Sequence, residues 1–261
     1  MQKRHTDHSL YFKEQALTTE KHVIPYIEDI VSVGIESVIL EIGCGEGGNL
    51  TPFLDRGCKC IGIDISEEKI KSGQKLFESH ENNDKMELIY ADIYSISEQD
   101  APKADIILMR DVIEHLPNQD YFMSFIKRFL KPNGIIFYAF PPWRMPFGGH
   151  QQILPHKFLS KLPYYHILPK SLYRLILKTG GLSDNEIGGV MEVKETGIAI
   201  HRFRRLLKKN NYEILKATDW FINPNYETKF NLKPRKLVFF NWIPFFRDFM
   251  TTCYYCVVKQ K

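Results

Sequence analysis

Apolar positions in this chain follow two rhythms. Short runs of apolar and β-branched residues that end in glycine or an acid alternate with stretches whose apolar residues recur at helical spacing. The first rhythm marks buried strands, the second amphipathic helices. Strands are predicted at Val38–Ile42, Cys58–Ile65, Met86–Ala91, Ala104–Met109 and Ile135–Phe140. Helices fill the gaps. Residues 9–21 predict a short helix over the mouth of a ligand site, and Lys21–Val33 a second, with Val23, Ile27, Ile30 and Val31 on one face. Asn49–Arg56 follows, with Asn49 as cap and Gly57 as stop. Ser66 caps the next helix, whose first turn carries Glu67 and Glu68, as the helix dipole favours. Asn118 opens a helix to Leu130, closed by a turn at Lys131-Pro132-Asn133-Gly134. This alternation predicts an α/β fold with a mostly parallel, doubly wound sheet.

The first strand runs into a glycine cluster: Val38–Leu50 reads VILEIGCGEGGNL. Gly43 and Gly45 allow dihedrals and close approach that a Cβ would forbid, and the following helix points free N–H groups at the same place. The cluster satisfies G-x-G-x-x-G, the dinucleotide fingerprint, as well as G-x-G-x-G. Glu41 and Glu46 would repel a pyrophosphate there and welcome a positively charged ligand. Acids also close the later strands. Glu41, Asp64, Asp92 and the pair Arg110-Asp111 end four consecutive strands, where ligands of doubly wound sheets bind. Asp64 follows Gly45 by 19 residues, the reach of a ribose-binding acid in a β-α-β unit. The plainer roles are a helix-capping Asp64 ahead of Ser66 and a turn-forming Asp92 ahead of Ser95.

Glu41, Gly43, Gly45 and Gly47 resemble the first motif of the class I S-adenosylmethionine-dependent methyltransferases, an apolar strand, an acid and G-x-G-x-G. That cofactor has a sulfonium and an ammonium and no phosphate. The resemblance covers residues 35–142 and implies a Rossmann-like, seven-stranded sheet in a single domain over residues 1–261, with residues 1–34 as a helical cap. It implies S-adenosylmethionine as cofactor, against the turn Gly43-Cys44-Gly45. Asp64 and Ile65 would take the ribose, Asp92 the adenine amino group with Ile93 beside the ring, and the backbone of Arg110 and Asp111 the ammonium. Asp111-Val112-Ile113-Glu114-His115-Leu116-Pro117 resembles the D-x-x-E-H pattern of small-molecule methyltransferases, quinone-pathway ones included. The implied partner is a small-molecule acceptor, methylated on oxygen, with no metal.

Past the fifth strand the alternation lapses over residues 143–195, a Pro- and aromatic-rich insertion. It resumes with a helix at Gly197–Lys209, whose Ala199, Ile200, Phe203, Leu206 and Leu207 form the buried face. Tyr212–Phe221 and Thr252–Lys259 are the last two of the seven strands, separated by a second insertion, residues 223–250. The two insertions are read as helical and aromatic lids. The run Leu237–Phe246 is either lid or core against the sheet. In the first insertion Gly148-Gly149 is expected to bring backbone close to a ligand, to aim His150 at an acceptor hydroxyl and to leave Gln151 as a second contact. His150 is the expected catalytic residue, to orient or deprotonate the acceptor, and His115 the second candidate.

Lys and Arg number 35 against 31 Asp and Glu, a net +4, too small a surplus for a nucleic-acid footprint. Arg110-Asp111-Val112-Ile113 stands where amino-methylating nucleic-acid enzymes carry an N-P-P-Y-type tetrad. MQKRHTDHSLYF has no apolar signal core, and membrane association is not expected. Five cysteines suggest a reduced, cytoplasmic chain, and Cys253 and Cys256, at an odd offset in a strand, would face opposite ways. Two rivals stay open. A nicotinamide oxidoreductase shares the glycines but leaves Glu41 and Asp92 unexplained, and an inactive, regulatory cofactor-binding module would keep every motif. Oligomeric state is not legible.

Overall fold

A computed structural model describes residues 8–238, 243 and 245–261. Its strands are β1 (Val38–Ile42), β2 (Lys59–Asp64), β3 (Met86–Tyr90), β4 (Ala104–Arg110), β5 (Leu130–Phe140), β6 (Tyr212–Ile222), β7 (Arg235–Lys236) and β8 (Cys253–Gln260). The helices are α1 (His8–Thr18), α2 (Ile24–Glu28), α3 (Thr51–Asp55), α4 (Glu67–Phe77), α5 (Gln119–Phe125), α6 (Lys170–Thr179), α7 (Asp184–Thr196), α8 (Ile200–Lys209), α9 (Asn225–Phe230) and α10 (Arg247–Met250). One sheet runs in the order β3-β2-β1-β4-β5-β8-β6-β7. The first five strands are parallel neighbours, and β8 enters antiparallel between β5 and β6. The expected count of seven is thus one short. The eighth strand is the two-residue β7 of the second insertion, which extends the sheet edge beside Trp220 and Ile222.

The strands are buried on both faces because helices cover both. One face carries Leu40, Ile107, Tyr138 and Phe203, the other Ile39, Phe53, Phe137 and Tyr255. Cys253 and Cys256 lie on opposite faces, as their odd offset requires, and all five cysteines are buried and free.

Three local expectations need correcting. The N-terminal cap is one helical run from His8 to Glu28, widened to a π-turn over Thr19–Val23, and it stops short of Val33. Pro25 has no N–H and its ring would press on the carbonyl four residues back, so a wider turn with Ile24 N–H donating to Thr19 O relieves the ladder. The helix after the glycines begins at Thr51 with no side-chain cap, because the Asn49 amide is used elsewhere. Lys131–Gly134 is a bulged start of β5, with Asn133 left-handed, rather than a turn before it.

The first insertion folds on its own small core. Tyr173 and Leu177 of α6 meet Ile187 and Val190 of α7, with Leu154 and Tyr165 from the loop before them. Ser183 and Glu186 form a reciprocal capping box at the start of α7. In the second insertion Leu237 is buried while Val238, Phe245 and Phe246 are exposed, and the middle of that aromatic run, residues 239–242 and 244, lies outside the described residues.

Candidate functional site

A cavity of about 460 Å³ opens at the carboxyl ends of β1 to β4. Gly43, Asp64, Ile65, Asp92, Ile93 and His115 line it, and all six come from the sequence-predicted set. Gly43 and Gly45 have φ of +70° and +58°, conformations that favour glycine. A Cβ on Gly43 would lie 2.5 Å from Val112 Cγ2, whereas one on Gly45 would meet nothing nearer than Lys69 Cδ at 3.8 Å. Gly45 therefore faces open space, and Gly43 makes room for the wall of the cavity. Cys44 turns away: its N–H donates to Ile63 O at 3.2 Å and its thiol is buried against Gly62.

Asp64 takes Gly45 N–H on one oxygen and Ser66 N–H on the other, both at 2.8 Å. It braces the glycine turn against the start of α4, and each oxygen keeps a lone pair for a ligand donor. Asp92 accepts from Tyr94 N–H at 2.9 Å and so holds its own turn. The plainer roles foreseen for both acids are present, and both acids still line the cavity. Glu46, expected to face the ligand, is buried toward α4, where Ser72 Oγ donates to it at 2.7 Å.

Behind the glycine turn lies a buried polar chain that local sequence rules do not reveal. Asn49 Nδ2 donates to Glu41 Oε1 at 2.6 Å, and Asn49 Oδ1 accepts from Arg110 Nη1 and, at 3.2 Å, from Thr19 Oγ1. Arg110 Nη1 also donates to Thr19 Oγ1 at 2.8 Å. Burial pushes the Glu41 carboxyl up to about 8, against the pull of Asn49 and Arg110. Glu41 Oε2 and Arg110 Nε are buried without a partner. Each side chain thus keeps one buried polar atom without a hydrogen bond behind the turn.

The chain leaves β4 through Asp111, whose φ is +53° and whose N–H donates to Ala139 O at 2.8 Å. That turn sends Glu114 inward and His115 to the cavity rim. The His115 and His150 rings meet edge to face, centroids 5.2 Å apart, so the two predicted histidines come together from different segments. Glu114 is 2% exposed, neither carboxylate oxygen is hydrogen-bonded although Oε1 lies 3.9 Å from His115 Nε2, and burial holds its pKa well above the usual range. One ligand atom from each of Glu114, His115 and His150 falls within 4.8 Å of the others, a set able to hold a cation. Glu114 stands in the D-x-x-E-H pattern, yet its burial was not foreseeable from spacing.

Burial, then His115, lowers His150 to about 4. The glycines before it do a different job from the one expected. A Cβ on Gly148 would strike Trp143 O at 2.2 Å and one on Gly149 the His166 Cβ at 2.3 Å, so both serve packing inside the insertion. Gln151 is likewise buried, donating to Pro146 O at 3.1 Å.

The chain matches the family model described as a methyltransferase domain over residues 28–167. It belongs to that family. Among curated relatives, a ubiquinone biosynthesis O-methyltransferase of Pelagibacter ubique is 32% identical over 101 residues, 39% of this chain and 40% of the relative. Its counterpart in Bartonella bacilliformis is 28% identical over 159 residues, 58% of this chain and 62% of the relative. The chain thus spans 40% and 62% of the length of these two relatives. Solved methyltransferases share the fold at low identity. A plantazolicin methyltransferase aligns with TM-score 0.56 at 15% identity, over 99% of this chain and 88% of that one. A geranyl diphosphate C-methyltransferase from Streptomyces coelicolor gives 0.55 at 12%, over 92% and 78%.

Proposed function

We propose that this methyltransferase-domain protein uses S-adenosylmethionine to methylate a hydroxyl of a small-molecule acceptor. The observation that carries the proposal is the convergence of Gly43, Asp64 and Asp92 on one cavity, with Gly45 N–H held by Asp64 behind them. When bound, the cofactor supplies a methyl group on a sulfonium, already a good leaving group. The chain then has to align the acceptor and exclude water. Asp64 and Asp92 hold the nucleoside end, and the Asp111–Pro117 loop closes its far side. His150, neutral at physiological pH, accepts a hydrogen bond from the acceptor hydroxyl and orients its lone pair. His115 supports the ring edge-on. Ubiquinone O-methyltransferases among the relatives favour an oxygen acceptor, and the slight net charge favours a small molecule over a nucleic acid. Five free, buried cysteines favour a reducing, cytoplasmic setting.

A second reading comes from the buried Glu114 carboxylate, which accepts no hydrogen bond. A divalent cation between Glu114, His115 and His150 would hold the acceptor oxygen in place of a histidine hydrogen bond. Incubation with methyl-labelled cofactor and a panel of phenols and alcohols, with and without EDTA, decides among these. Label transfer unaffected by EDTA supports the histidine reading, and transfer restored only by a divalent ion supports the second. Calorimetric binding of S-adenosylhomocysteine without transfer to any acceptor would favour an inactive binding module.

A further inference from the structure

Charge is spread unevenly between the strands and the insertions. Residues 143–183 and 228–247 carry 11 of the 35 Lys and Arg and none of the 31 Asp and Glu, so the rest of the chain is acidic on balance. The same two stretches expose large apolar side chains. In the first, Phe158 is 66% exposed, and α6 buries Tyr173 and Leu177 while Leu172 and Leu175, three residues apart, stay exposed beside Arg174 and Lys178. A helix packed by one face ordinarily shows water a polar one. In the second stretch Val238 and Phe245 are 70% and 58% exposed. The fold joins the two: the Arg144 guanidinium lies 3.7 Å over the Phe245 ring, and Tyr164 Oη donates to Phe249 O at 3.0 Å. Lys170 pairs with Glu195 at 2.6 Å and Arg174 lies 3.9 Å from Asp184, but among the described residues Lys157, Lys161, Lys178 and Lys233 make no ion pair.

We propose that the joined insertions form a docking surface for an anionic lipid bilayer. Charge complementarity sets the sign of the occupant, since an acid-free surface on an otherwise acidic chain is drawn to a layer of negative charge and oriented by it. The apolar residues select a bilayer over an acidic protein. Each stands next to a cation in the chain: Phe158 by Lys157, Leu162 by Lys161, Leu175 by Arg174 and Leu232 by Lys233. Such side chains sink between headgroups while the lysine stems reach back to the phosphates. No helix among the described residues is long and apolar enough to cross a membrane, so the contact is with the membrane surface. The first insertion starts where β5 ends and carries His150, which puts the bilayer on the insertion side of the cleft. Hydropathy along the chain does not predict this contact, because no single segment pairs a long apolar stripe with a basic one. The surface arises only where the fold brings two short stretches together, and it does not depend on methyl transfer.

The test is co-sedimentation of the full chain with vesicles of phosphatidylcholine alone and of phosphatidylcholine and phosphatidylglycerol in equal parts. Binding is expected to the anionic vesicles only, and should fall as salt is raised. Lys157→Gln/Lys161→Gln/Lys178→Gln should weaken it by about 100-fold, the combined worth of three basic residues near a charged surface. Phe158→Ser/Leu175→Ser, which keeps every charge, should weaken it by about 10- to 100-fold. All these positions are exposed, and an unchanged circular dichroism spectrum checks that each variant folds. Absence of wild-type binding to the anionic vesicles overturns the proposal. Binding that Phe158→Ser/Leu175→Ser leaves intact overturns it too, since the lysines would then act as a diffuse charge layer with no docked surface. Dimerisation in sedimentation velocity that the apolar variant abolishes, without vesicle binding, assigns the patch to a second copy of the chain and also overturns it.

Discussion

The two ends of the cleft are built on opposite plans. At the β1–β2 end the backbone does the holding: Gly43 and Gly45 sit at positive φ, and Asp64 is fixed by two N–H groups before any ligand arrives. At the insertion end side chains do it. His166 is buried and neutral, donating from Nε2 to Trp143 O at 2.8 Å, and Tyr173 Oη donates to Gly149 O at 2.9 Å above a core of Leu154, Leu177 and Ile187. A subsite made of backbone tolerates little change and suits a ligand that never changes. One made of packed side chains is altered by single substitutions and suits recognition that differs between relatives.

The sharpest way to break this contrast is Gly45→Val. A β-branched residue at φ +58° is strained by about 1–2 kcal/mol before its side chain enters the ligand's space. Calorimetry should find no binding of S-adenosylhomocysteine, with circular dichroism unchanged. Retained affinity would mean that the ligand does not lie on the backbone. At the other end, His150→Ala should lower turnover by about 10²–10⁴-fold and leave cofactor affinity as it was. Lost cofactor affinity would erase the boundary between the two ends, and near-wild-type turnover would remove His150 from the reaction.

Asp64→Ala tests whether the brace is also a ligand contact. Loss of charge-assisted hydrogen bonds should weaken S-adenosylhomocysteine binding by about 10- to 100-fold. Unchanged affinity leaves Asp64 as a brace alone. The smallest effect concerns Glu41. Because its carboxyl is raised to about 8, it is protonated in the native state and ionised in the unfolded state over the window from its ordinary value of 4.5 upward. The native state therefore binds the extra proton, and Glu41 costs stability progressively as pH rises through that window. Glu41→Gln keeps the bond from Asn49 and removes the titration, so its melting temperature should gain on wild type by a few degrees between pH 5 and pH 8. A difference that does not vary with pH would show that Glu41 is not held neutral.

What the sequence determined by itself is everything governed by local rules. Five strands and the glycine turn were legible because apolar runs, positive-φ glycines and caps such as Ser66 and Asn118 act over a few residues. The acids at the strand ends were legible for the same reason, since a parallel sheet gathers its strand ends on one side. Only the tertiary structure decided what those side chains face. Asn49 has the composition of a helix cap but finds Glu41 and Arg110 from another strand, so it bridges instead. Glu46 turned to α4 and Cys44 to the core, each because a neighbour distant in sequence offered a better burial site, and Gln151 turned into the insertion. Glu114 and His150 meet for the same reason. Such partners are chosen by packing between segments, and local spacing carries no record of that choice.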